Sequence, residues 1–314
     1  MSTFTELMQH HHAARMRSRK ITNGVMLALT GMLTALALVP LFWIIGYVVV
    51  RGGKSINLAF FINMPTPLGV SGGGVRSAIE GTLVITLLAV AFAIPPGVLA
   101  AFYAARYPNR PLGVALRFST DVLAGVPSIV IGLFAYSVLV VPMGHFSGLA
   151  GGAALAVLML PTIIRTTEEM LKLVPGTLRE ASLGLGATEW KTSLSVLFPA
   201  AANGIITGFL LALARAVGET APLLMTALGN ERFDVGQIIN SGILSHQSIF
   251  AIFGRIINQP VDSLPLALWK YAQQPYPERV EQSWAVALVL MILVLLVNIA
   301  TRIWVQARAR KLKG

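Results

Sequence analysis

The chain has 314 residues, 55% of them hydrophobic and only 12% charged, with a mean hydropathy of +0.73. Soluble domains carry roughly a quarter of charged residues, so this apolar excess calls for a nonaqueous solvent. The absence of cysteine excludes disulfides, thiolate metal sites and cysteine nucleophiles, and the net charge of +11 sits beside apolar runs, which points to membrane topology rather than to nucleic acid.

A basic leader, residues 1–24, opens the chain; its His10, His11 and His12 are too few for an affinity tag and are not read as a metal site. Spanning about 30 Å of hydrocarbon takes roughly 20 apolar residues in a helix, and six runs are read as spans. The first is Val25 to Val50, stopped by Arg51-Gly52-Gly53-Lys54. It is too long for a signal-peptide core and is read as a retained anchor. The second runs from Ala78 to Tyr103 and carries Pro95-Pro96; the third runs from Val122 to Val141, with Gly125 and Pro127 near its start. Leu149 to Ile164, Ala200 to Leu228 and Trp284 to Val305 complete the set, and a basic tail, 306–314, follows. The expected fold is therefore all-α, a polytopic membrane protein of six transmembrane helices occupying residues 25–305.

Charge placement orients the spans. With both termini in the cytoplasm, the inner segments hold Arg15, Arg17, Arg19 and Lys20, then Arg106, Arg110 and Arg117, then Arg165, Lys172, Arg179 and Lys191, and finally the tail cations from Arg302 to Lys313. The outer segments hold fewer, as the positive-inside rule requires, and cytoplasmic termini demand an even number of spans. Segments 51–77 and 229–283 then fall outside. Ile249 to Ile257 is apolar but too short to cross, and is expected to form a short interfacial helix.

Between the fourth and fifth spans, residues 166–199 are polar enough to leave the membrane yet dense in helix signals. Pro175-Gly176 makes a turn, and Thr177 with Glu180 three residues on reads as a capping box. Gly184 or Gly186 would close that short helix, and Thr188 would cap a second over Glu189 to Leu197. Such a projecting hairpin suits docking into a groove on a soluble partner; the bland alternative is a solvated connector. Within it Glu180-Ala181-Ser182, Gly186 and Val196-Leu197-Phe198-Pro199 resemble the EAA loop of ABC importer permeases, in spacing throughout and with mild departures at Ser182, Val196 and Phe198. The resemblance implies a type I (MetI-like) permease fold, with Glu180, Ala181, Ser182, Gly186 and Pro199 in the element that couples an ATPase subunit to the membrane helices.

The chain has no phosphate loop of its own. Gly53-Lys54-Ser55 imitates the end of one, but Val48 stands where the first glycine is needed. ATP and its magnesium are thus expected on a separate chain, with no cofactor bound here.

Arg215 and Glu219 lie in the fifth run, where each charge costs on the order of 2.5–3.5 kcal/mol on insertion scales and so needs a partner or a polar pathway. Four apart, they share a helix face, and Pro222 is expected to kink the helix there. Arginine's planar fork suits oxyanions; the structural alternative is a helix-bundle ion pair. Ala200, Gly204, Gly208, Ala212 and Ala216 recur every four residues, a small-residue stripe read either as an interface with a paralogous partner or as packing within the chain.

Gly125-Val126-Pro127-Ser128-Ile129-Val130-Ile131-Gly132-Leu133-Phe134 and Arg215-Ala216-Val217-Gly218-Glu219-Thr220-Ala221-Pro222-Leu223 resemble the phosphate-specific Pst permeases. Pro161 to Glu168 and Ser263-Leu264-Pro265 resemble one of their two permease types in particular. The resemblance implies a heterodimer with a PstC-type permease, a PstB-type ATPase dimer, a PstS-type extracytoplasmic binding protein, inorganic phosphate as substrate, and the bacterial inner membrane as location. It also implies that Arg215 and Glu219, with Thr220 in the same element, serve the transport path; Ser128 and Arg165 are weaker nominations. His145 and His246 are read as surface histidines. A proton-coupled secondary transporter would not need the coupling loop, a membrane enzyme lacks a metal or nucleophile pattern, and an ABC permease for molybdate or sulfate would share the fold.

Overall fold

The computed structural model describes residues 2–67, 69–70 and 72–311; at the ends, side chains are described for residue 16, from 19 to 300, and for 302, 303 and 307. The side chains of the leader histidines and of Arg15, Arg17, Arg308, Arg310 and Lys311, and the whole of Lys313, lie outside what the structure describes.

The described chain is helical, and its one β interaction is an isolated bridge between Leu228 and Val261. In order the helices are α1 (Ser2–Gly53), α2 (Leu58–Ile62), α3 (Arg76–Arg106), α4 (Pro111–Gly125), α5 (Ser128–Met143), α6 (Gly148–Lys172) and α7 (Gly176–Gly184). There follow α8 (Glu189–Val217), α9 (Ala221–Thr226), α10 (Val235–Leu244), α11 (Ile249–Ile257), α12 (Leu264–Ala272) and α13 (Pro277–Lys311). Five are long and apolar enough to cross a membrane, and the bent pair α4–α5 raises the number to six. Counting that pair as one span, each of the six predicted runs overlaps one of the six, with differences in the third and fifth.

α6 is the central element, with buried residues along its length, including Leu155, Met159 and Ile163. Around it pack Ile85, Ala89 and Ala93 of α3, Ala212 and Ala216 of α8, and Leu223 of α9. Small residues set the spacing. A Cβ on Gly208 would stand 2.1 Å from Thr166 Oγ1, and one on Gly204 would stand 2.0 Å from Met170 Sδ, so α8 lies against α6. The small-residue stripe is thus used at these positions for packing within the chain. α1, by contrast, touches α13 near Tyr47 and Trp284, whose rings meet edge to face at 4.9 Å. Most of its described apolar side chains are exposed, as expected of a peripheral helix solvated by lipid.

Two spans depart from the expected continuity. The third is not one helix from Val122 to Val141: α4 and α5 meet at 107°. A proline disfavours helical backbone in the residue before it, and Val126, ahead of Pro127, is extended at φ −75°, ψ 129°. The fifth does not run to Leu228 with a kink at Pro222. It stops at Val217, and Pro222 instead occupies the first turn of α9, where its missing amide hydrogen is harmless. The segments that follow the two breaks pack on each other, since a Cβ on Gly132 of α5 would stand 2.8 Å from Pro222 Cα in α9.

Candidate functional site

The end of α8 places the intramembrane arginine. A tight turn, in which the amides of Gly218 and Glu219 donate to the carbonyls of Arg215 and Ala216, carries the chain out of the helix. Glu219 is therefore outside the helix that holds Arg215, yet its Oε1 still lies 3.5 Å from Arg215 Nε. Thr220 precedes α9, and its carbonyl accepts from the amides of Leu223 and Leu224. The Arg215 side chain is 57% exposed in the isolated chain and opens onto a cavity of about 260 Å³.

That cavity unites two nominated residues. Its lining includes Arg215 and Arg165, with Thr162, Thr166, Pro161 and Ile131 between them. Arg165 projects from α6 and is held by two carboxylates: Nη1 donates to Asp121 Oδ1 at 3.3 Å, and Nε donates to Glu169 Oε1 at 3.2 Å. Ser128 opens α5 between the lining residues Val126 and Ile131, but is not itself on the wall, and neither are Glu219 and Thr220. Two guanidiniums facing one cavity, Arg215 beside one carboxylate and Arg165 beside two, can donate to an oxyanion and return to internal ion pairs when it leaves.

The hairpin between α6 and α8 is built as expected in outline. α7 closes at Gly184, and Gly186 takes the left-handed conformation at φ 81° that ends the turn. Thr188 caps the start of α8, accepting from the Lys191 amide at 3.3 Å. The expected Thr177–Glu180 capping box is absent: Pro175 occupies the cap position of α7 and no side chain caps it. Nor does Pro199 separate a short helix from the span, because α8 runs unbroken from Glu189 through a π turn at Ser193–Leu197 to Val217. Ser182 and Thr192 hydroxyls bond at 2.9 Å and tie the two helices. Glu180, Ala181 and Gly186 are left exposed, beside Leu185 at 90% exposure.

Three charge clusters were not legible from motifs. Glu189 accepts from Arg106 Nη2 at 2.6 Å and from Arg179, joining α8 to the end of α3 and to α7. Glu168, almost fully buried, takes Arg117 Nε and Lys172 Nζ, each at 2.6 Å, while Arg117 Nη2 donates to the Ala104 carbonyl at 2.8 Å. Arg106, Arg117, Lys172 and Arg179, expected as topology determinants, are thus also structural ties. In the 229–283 segment, Asp262 is fully buried with Lys270 Nζ at 3.7 Å. Burial pushes its carboxyl up to about 6, against the pull of that ammonium. The expected helix Ile249–Ile257 is present with those bounds.

Fold and cavity together define a polytopic helical permease with a charged cleft between broken spans. Residues 97–314 match the family described as binding-protein-dependent transport system inner membrane component, and the chain belongs to that family. It is 38% identical over 286 residues to the phosphate transport system permease protein PstA of Yersinia pestis, covering 91% of this chain and 90% of that one. To the PstA of Haemophilus influenzae it is 37% identical over 300 residues, covering 95% and 99%. An inward-facing MetNI methionine ABC transporter superposes with a TM-score of 0.52 at 22% identity over 74% of this chain and 94% of that one, which shows the MetI-like permease fold. The chain is accordingly a multi-pass membrane component of an ABC importer and not an enzyme.

Proposed function

We propose that this chain is the transmembrane permease subunit of an ATP-driven importer of inorganic phosphate, and that it supplies half of the translocation path. The observation that carries this reading is the meeting of Arg215 and Arg165 on one cavity, in a chain similar to phosphate permeases over nine-tenths of its length. The tetrahedral anion takes donors from both guanidiniums, while Glu219, Asp121 and Glu169 hold them in ion pairs until it arrives. Ser128 and Thr220, off the cavity wall, add hydroxyls to the path at the two breaks. A PstC-type permease completes the path, a PstS-type protein delivers phosphate to the outer segments, and a PstB-type dimer carrying ATP and magnesium docks on Glu180, Ala181, Ser182, Gly186 and Pro199. Both termini lie in the cytoplasm and the protein resides in the inner membrane, since basic residues concentrate on the segments so assigned. ATP-driven closure reaches the cavity through α8, which connects Glu189 to Arg215 in one helix.

The test is ATP-dependent phosphate uptake in proteoliposomes holding all four components, with arsenate, sulfate and molybdate as competitors. Arg215→Gln is expected to reduce uptake at least a hundredfold, as for a lost charge-assisted contact worth about 3 kcal/mol, while the complex still assembles. Normal uptake by that variant, or stronger competition by sulfate or molybdate than by arsenate, would count against the assignment.

A further inference from the structure

A second cavity, of about 220 Å³, lies at the end of the bundle that carries the α7–α8 hairpin. Its walls include Phe102 and Arg106 from the end of α3, Leu171 and Lys172 from the end of α6, Arg179 from α7, and Leu197 from α8. It shares no lining residue with the cavity of Arg215 and Arg165.

The cations here are not matched one to one. Arg106 and Arg179 share the single carboxylate of Glu189, and Lys172 shares that of Glu168 with Arg117. Four positive groups thus divide two carboxylates, and three of the four line the cavity. The remaining wall is apolar. Phe102 stacks on Phe198 with centroids 5.6 Å apart, Leu171 is buried, and Ala105 and Leu197 lie beside them. Surplus cationic donors over an apolar floor, at the end of two spans, suit an anion whose oxygens take several donors at once. Basic pockets between membrane helices at the cytoplasmic boundary bind phosphorylated headgroups in this way.

We propose that this cavity binds a phosphoryl-bearing anion, supplied either as an anionic phospholipid headgroup or as free inorganic phosphate, through Arg106, Lys172 and Arg179. Because α3 and α6 form one side and α7 another, the bound anion clamps the hairpin to the bundle and sets how stiffly the hairpin moves with the spans. The proposal does not depend on which anion is transported.

The experiment uses the assembled transporter with the full chain in nanodiscs of phosphatidylcholine alone or of phosphatidylcholine with phosphatidylglycerol. Retained lipid is read by native mass spectrometry, and radiolabelled inorganic phosphate is titrated into the neutral discs. Preferential retention of phosphatidylglycerol identifies the headgroup; phosphate binding that survives Arg215→Gln identifies the free anion. In either case Arg179→Gln is expected to weaken binding about tenfold or more. Ala105→Phe, which fills the cavity and leaves every charge in place, is expected to do the same. Absence of both ligands, or binding unchanged in both variants, overturns the proposal.

Discussion

At the scale of single residues, charge and burial decide what each ionisable group does. Arg215 and Arg165 face a cavity, and their ion-pair partners among the described residues stand at 3.2–3.5 Å, so both guanidiniums keep donors open to a ligand. Glu168 is the opposite case. Its side chain is 3% exposed with two cations at 2.6 Å, and a buried carboxylate stripped of such partners is strongly destabilising, which suits a fixed tie between α4 and α6. Asp262 yields a prediction of its own. Its folded carboxyl titrates near 6 against an ordinary 3.8, so between those values the folded state binds more protons than the unfolded one. The stability contributed by this group is then fully present below about pH 4 and is lost as the pH rises through 6, an effect on the order of 3 kcal/mol. Asp262→Asn is expected to flatten that slope in denaturation midpoints measured from pH 4 to 7 in detergent; an unaltered slope contradicts the assignment.

At the scale of elements, the breaks matter more than the helices. The third span breaks ahead of Pro127, the fifth ends at Val217 before Pro222 opens α9, and Gly132 lets α5 pack closely on α9. Backbone at membrane depth tolerates such interruptions where it is buried in protein or lines a cavity, and the 260 Å³ cavity borders the first of them at Val126. The hairpin turns on Gly186, whose φ of 81° disfavours most residues with a Cβ, asparagine being the main exception, by roughly 1–2 kcal/mol. Space is not the obstacle, because nothing stands within 4 Å of a Cβ there. Gly186→Asn, which tolerates this conformation, is therefore expected to retain ATPase copurification, whereas Gly186→Val is expected to lose it together with transport. Equal behaviour of the two variants would place the ATPase contact elsewhere.

At the scale of the whole molecule, α6 organises the bundle and α1 stands apart from it. Gly208→Leu must displace Thr166 and separate α8 from α6, so it is expected to lower the thermal midpoint in detergent by several degrees, as a loss of about 2 kcal/mol does in a chain of this size. Gly31→Leu, on α1 with nothing within 4 Å, is expected to leave the midpoint within a degree. The absence of cysteine makes the topology open to direct measurement. A single cysteine at Ser182 is expected to resist impermeant maleimide in intact cells and to react in inverted vesicles, while one at His246 does the reverse. Reaction of Ser182→Cys from outside would end the coupling assignment.

Span count, the amphipathic helix Ile249–Ile257, the Thr188 cap and the Gly186 turn were all legible in sequence, because each rests on local chemistry: apolar run length, cap hydroxyls, and the backbone freedom of glycine. Arg215 was legible for the same reason, as a charge where hydrocarbon penalises one. Local chemistry misled where two signals competed, as at Thr177, whose capping motif lost to Pro175. What only tertiary structure decided was which distant residues meet: Arg165 with Arg215, Glu189 with Arg106 and Arg179, Glu168 with Arg117. Those pairings depend on how closely α3, α6 and α8 approach, a distance set by small side chains on facing helices, and the periodicity of one helix does not say which neighbour its face will find.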